Sequence, residues 1–169
     1  MSFMAILPFA IISQNIPKID KNAVKAAGGD SIILNELNKK LSTQVNPIVF
    51  PAYETKVTDK IMKNQLEKYF PVIKEVVNAV NTQLPGYVVQ VTGYGNPPNG
   101  ADTAEAKETA RSLSEKRAQS VKNALVEKGL KEGVLTVRGM GDADRVGATP
   151  DNAGAWGKNR RVVMKIVKK

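Results

Sequence analysis

The chain contains no cysteine and no histidine. Without cysteine there is no disulfide framework, thiolate zinc site or thiol nucleophile, and the redox compartment stays open. Without histidine, the commonest general base and the commonest transition-metal ligand are gone. An enzyme is therefore not expected, and neither a metal nor a cofactor is. No apolar run is long enough to span a membrane as a helix. The opening residues, MSFMAILPFAIISQ, hold only a short apolar stretch. No Lys or Arg precedes it and no clear A-x-A site follows, so it reads as an ordered N-terminal segment, a buried strand, rather than a signal peptide. The numbering then begins after a removed signal or inside a longer protein.

What is present suits one globular domain with an extension. The 169 residues are 42% hydrophobic and 24% charged, a globular rather than a disordered balance. The net charge of +9 favours a polyanion, an acidic surface or a carboxylate-bearing wall polymer, without choosing among them. The lysines are scattered along the whole chain, which also fits a merely soluble, lysine-rich surface.

Hydrophobic periodicity gives the order β-α-β-α-β-loop-β after a short leading helix. In DSIILNELNKKL, Asp30 or Ser31 can cap a helix whose Ile33, Leu34, Leu37 and Leu41 share a face. Ile48 to Phe50 reads as a short strand, with Pro51 suited to an edge or strand end. Thr58-Asp59 opens a helix striped by Met62, Leu66, Tyr69, Ile73, Val76, Val80 and Leu84, which Pro71 kinks or restarts. YVVQVTG is the next strand, with Val89 and Val91 on one face. A helix from Thr103 to Lys128 follows, with Gly129 as its C′ residue. GVLTVRGMG and RRVVMKIVKK complete the strands, separated by the turn-rich DADRVGATPDNAGAWGKN. The expected class is α+β: a mixed sheet with helices packed on one face. Residues 1–45 form an N-terminal extension, packed on the domain or part of a preceding one, and residues 46–169 form the domain.

Arg117 interrupts an apolar stripe, four residues from both Leu113 and Val121. Two readings stand beside each other: a guanidinium snorkelling to solvent at the edge of the stripe, or a fork aimed into a cleft to take a carboxylate. Asp102 is the nearest upstream acid. With Glu105 it matches a capping pattern, so capping leads over ligand binding. GYGNPPNG lacks both phosphate-loop patterns and reads as a turn loop. In Lys158-Asn159-Arg160-Arg161, alternation sends the two arginines to opposite faces, one to a cleft and one to solvent. This cluster has no interleaved aromatics apart from Trp156, and no nucleic acid partner is expected.

Four segments together resemble the OmpA-like domain family: Gly93-Tyr94-Gly95-Asn96, Leu113-Ser114-Glu115-Lys116-Arg117-Ala118, Gly139-Met140-Gly141 and Asn159-Arg160-Arg161-Val162. They stand where the family has its strand–G-H-T-D, L-S-x-x-R-A, G-x-G and N-R-R-V motifs, and the likeness runs from about Pro47 to the C-terminus. The resemblance implies a βαβαβ-β fold and noncovalent binding of the peptidoglycan stem peptide in the periplasm, near the outer membrane of a diderm bacterium. Envelope proteins are further partners it suggests. It also implies a ligand, diaminopimelate or another diamino acid, whose carboxylate meets Arg117 and whose amine meets an acid. The candidate peptidoglycan-binding residues are Asn96, Asp102, Leu113, Arg117, Asn159 and Arg160.

Departures from the family pattern bear on that ligand. Asn96 stands where the family has aspartate, and Ala110 where it has asparagine. Ala155 and Trp156 replace the Gly-Arg of the last motif, and the loop before the helix is lengthened. Asp102 keeps the family's aspartate-to-arginine spacing from Arg117, so the insertion can leave it in the ligand seat. Otherwise Asn96 holds that seat as a neutral group, with ammonium binding weak or lost; the alternative to a wall-binding module is an altered domain serving structure or protein interaction in the envelope.

Overall fold

The computed structural model describes residues 29–146 and 153–169. The expected N-terminal strand lies outside the described residues. Helix α1, Gly29–Gln44, buries Leu37 and Leu41, while Ile33 and Leu34 pack partly buried beside them. Asp30 lies within its first turn rather than ahead of it. Strand β1, Ile48–Val49, is short. Helix α2 comprises Asp59–Ile61, a π-helical turn Met62–Leu66, and Glu67–Gln83. Thr58 caps it, its hydroxyl accepting from the Ile61 amide at 3.4 Å.

Pro71 neither ends nor restarts α2. Glu67–Gln83 runs straight through it, and the irregular geometry sits in the turn before. Proline has no N–H to offer the Glu67 carbonyl, and the preceding turn is widened so that the Glu67 N–H donates to Met62. Leu84 closes α2 by donating its amide to Val80, and Gly86 turns the chain at φ 88°.

Strand β2 is Tyr87–Gly93, helix α3 is Ala104–Glu127, strand β3 is Leu135–Gly139, and strand β4 is Arg161–Lys168. A short helix α4, Ala153–Gly157, lies within the segment expected to be irregular. The sheet order is β1-β4-β2-β3. β2 and β3 are parallel, joined through α3, while β4 runs antiparallel to both β2 and β1. This is a mixed four-stranded sheet in an α+β fold. Proline-flanked β1 holds an edge, where the missing donors of Pro47 and Pro51 do no harm.

Alternation puts Val89, Val91, Leu135, Val162 and Ile166 on the core side of the sheet, against Ile73, Val76 and Val80 of α2 and Val121 and Leu125 of α3. Each such fully buried aliphatic contributes about 1.5–3 kcal/mol. Helix α1 joins the same core, and its Asn38 carbonyl accepts from the Ile166 amide at 2.9 Å. Lys40 of α1 also pairs with Glu75 of α2.

Two glycines let α3 lie against the strand ends. A Cβ on Gly93 would stand 1.8 Å from the Ser114 carbonyl oxygen, and one on Gly139 would stand 2.7 Å from Cβ of Glu115. Beyond the helix, Gly129 and Leu130 donate to the Val126 and Leu125 carbonyls, a Schellman ending with the glycine at φ 92°.

Candidate functional site

The tail of β2 separates two environments. Tyr94 and Gly95 follow Gly93 and face opposite sides. Tyr94 stacks its ring under the guanidinium of Arg161, 4.1 Å away. Gly95 faces Arg117, whose Nη1 would lie 3.1 Å from a Cβ at that position. A larger residue there would push on the guanidinium.

Arg117 is 2% exposed, so it does not snorkel. It is carried inward by the apolar face of α3. Its Nε donates to the Glu54 carbonyl at 2.8 Å, and its guanidinium lies 5.8 Å from the Phe50 ring. Among the described residues no group accepts from Nη1 or Nη2, and no carboxylate pairs with Arg117. Burial, then the nearby charge of Arg160, pushes its pKa down to about 10, and the charge of Glu54 partly offsets this.

A cavity of about 310 Å³ opens beside this group, lined on one side by Asn96, Leu113, Arg117, Trp156 and Arg160. Its rim holds Tyr53 and Asn99, the two non-glycine residues at positive φ among the described residues. Such backbone costs of order 1 kcal/mol and tends to collect at binding sites. Among the described residues no Asp or Glu lines the cavity. Arg160 donates Nε to the Phe50 carbonyl at 3.1 Å and makes no ion pair among the described residues. Asn96 donates its amide nitrogen to the Trp156 carbonyl at 2.9 Å, which fixes the side chain. Its Oδ1 is buried and accepts no hydrogen bond among the described residues.

Four of the six candidates, Asn96, Leu113, Arg117 and Arg160, therefore meet around one cavity. Asp102 and Asn159 do not line it. Asp102 is not the helix cap either. The cap is Thr103, whose hydroxyl accepts from the Ala106 amide at 3.1 Å. With the helix starting one residue late, Asp102 has no helical N–H in reach. It pairs instead with Lys107 at 2.6 Å on the surface, where that hydrogen bond and charge hold its carboxyl below the usual range. Asn159 is buried and accepts from the Val146 amide at 2.8 Å, so it holds the loop behind the site. Arg161, on the face opposite Arg160, does not reach solvent: it is 5% exposed. It donates to the Asp144 carboxylate at 2.7 Å and to the Asp144 carbonyl at 3.0 Å.

Sequence reasoning missed the backbone acceptors. The carbonyls of Phe50 and Glu54, just after β1, hold the two arginines, and that of Trp156 holds Asn96. Any residue type can supply a carbonyl, so composition carries no signal for it. Ser114 lies in the motif segment Leu113-Ser114-Glu115-Lys116-Arg117-Ala118. Its hydroxyl accepts from the Gly141 amide at 3.0 Å and ties β3's exit to α3.

The OmpA family model matches residues 59–160. Among solved structures, the chain is similar to the OmpA-like domain of FopA1 from Francisella tularensis subsp. tularensis SCHU S4, at 24% identity and a TM-score of 0.55, over 72% of this chain and 69% of that one. It is similar also to the peptidoglycan-associated lipoprotein from Burkholderia pseudomallei, at 21% identity and a TM-score of 0.53, over 80% of this chain and 99% of that one. The C-terminal domain of Helicobacter pylori MotB matches at 17% identity and a TM-score of 0.51, over 74% of this chain and 86% of that one. No curated protein matches. At these identities the structural likenesses bear on the fold alone.

Proposed function

The chain belongs to the OmpA family, and from that premise we propose that it is a non-catalytic module of the bacterial cell envelope that binds peptidoglycan noncovalently. The observation that carries this is Arg117: a buried guanidinium, its outer nitrogens unanswered among the described residues, lining an open cavity. A buried charge with no counter-ion is unfavourable unless something completes it. A stem-peptide carboxylate would do so through two parallel N–H···O bonds. The net charge of +9 would draw the domain toward a carboxylate-rich polymer. Leu113 and Trp156 would pack on the ligand's methylene chain, and Asn96 would offer an amine only a neutral side-chain carbonyl.

Asp102 reaches the ligand in this scheme only by leaving Lys107. A periplasmic location, close to the outer membrane, accompanies the reading. No described helix is long and apolar enough to cross a membrane.

A second reading, an altered domain serving structure or protein interaction in the envelope, is favoured by the lack of an acid among the described residues that line the cavity. Co-sedimentation with purified sacculi separates the two. The folded protein is expected in the pellet, with Arg117→Gln lowering the bound fraction about tenfold or more, the worth of a charge-assisted hydrogen bond. A folded protein that stays in the supernatant would leave only the second reading.

A further inference from the structure

Resting on the peptidoglycan reading of this cavity, we infer that it selects its ligand by two carboxylates and is indifferent to the ligand's amine. Arg117 and Arg160 line one cavity, and neither is ion-paired among the described residues. Each has spent its Nε on a backbone carbonyl, of Glu54 and Phe50 respectively. That leaves the terminal nitrogens of both forks for a ligand. Two cations facing one volume repel each other and together attract a dianion.

An ammonium entering the same volume meets no carboxylate among the described residues that line it. The seat that could attract it is Asn96, a neutral amide pinned by its nitrogen to Trp156. Its buried Oδ1 can accept a hydrogen bond, but a neutral acceptor beside two guanidiniums gives a cation no net gain. Asp102, the acid with suitable spacing, is outside the cavity and paired with Lys107. Glu54 is the acid whose charge reaches Arg117. Its Oε1 accepts from the Thr55 and Lys56 amides at 2.9 and 2.8 Å, which keeps the carboxylate on its own loop. Arg117 takes one carboxylate and Arg160 the second, with Leu113 against the chain between them.

Pimelate and diaminopimelate make the test, since they share a seven-carbon dicarboxylate and differ only in the amines. Chemical-shift titration of the full chain is expected to give dissociation constants within about threefold of each other, and Arg160→Gln is expected to weaken both by about tenfold. Sacculi whose amines have been acetylated should pellet the protein as native sacculi do, whereas sacculi with amidated carboxylates should not. Diaminopimelate binding about tenfold or more tighter than pimelate would overturn the inference, as would release by acetylation. So would any preference for diaminopimelate that Glu54→Gln erases, since Glu54 would then be the amine's seat. The peptidoglycan reading fails separately: native sacculi would not pellet the protein, while the two soluble acids would still report on the cavity. If neither acid shifts any resonance of the cavity residues, the inference falls.

Discussion

Arg117 and Arg161 are both nearly inaccessible, at 2% and 5% exposure, on either side of the Tyr94-Gly95 step. Arg161 is finished. It has a carboxylate, a carbonyl and an aromatic face. Arg117 has one carbonyl and an open cavity. Equal burial with unequal completion marks Arg161 as a structural cation and, on the proposed reading, Arg117 as one held ready for a ligand. The first stabilises the fold it sits in. On that reading the second would make the empty domain less stable than an apolar residue would, and would regain that on binding.

The step between the two arginines depends on Gly93, so the largest effect is expected there. Gly93→Ala sets a methyl 1.8 Å from the Ser114 backbone oxygen, and backbone cannot rotate away. A loss of about 3 kcal/mol or more in urea denaturation is expected. A loss below about 1 kcal/mol would mean that α3 lifts off the sheet without resistance, and the two environments would not be rigidly divided.

The pair itself is compared next. Asp144→Ala strands Arg161 and should destabilise the domain by about 1–2 kcal/mol, less than a fully buried pair because the Asp144 side chain is 64% exposed. Arg117→Met should stay within about 1 kcal/mol of the parent, since it removes a buried charge that has no counter-ion, and yet end sacculus binding. Arg117→Met proving the more destabilising of the two would make Arg117 a structural cation as well.

The smallest effect belongs to Asp102, an exposed carboxylate completed by an exposed lysine. Its folded pKa lies below the ordinary 3.8, the hydrogen bond and charge of Lys107 being the cause. The pair's contribution is therefore present above that value and is lost as pH falls through the lowered one. An NMR titration of the Asp102 carboxyl should show the low midpoint, and Lys107→Met should return it to the ordinary range. A midpoint that stays low with added stem peptide while the Lys107 ammonium is released would bring Asp102 back as a ligand residue.

The four strands, the α3 stripe and its Gly129 ending were legible because burial on one face imposes a period of two or 3.6 on a single segment. So was the oddness of Arg117, an interruption within such a period. The short helix α4 and the π turn of α2 were not legible. The first has too few residues to show a period. The second reflects how a chain around Pro71 settles against its neighbours. Asp102 and Thr103 both suit a cap, and one residue's shift in the helix start decided between them. The fate of Arg161 was hidden because Asp144 lies seventeen residues away in a loop without periodicity.

By itself, the sequence determined which faces are apolar, that no thiol or imidazole chemistry exists here, and that one arginine is carried inward by its helix. Those are local consequences of residue type and spacing. Only the tertiary structure decided what that arginine meets. It brought the Glu54 and Phe50 carbonyls and Arg160 to its side, seated Asn96 where the family has an acid, and left Asp102 outside. Coulomb forces and hydrogen bonds act over a few ångströms, and separation along the chain does not fix which groups come that close.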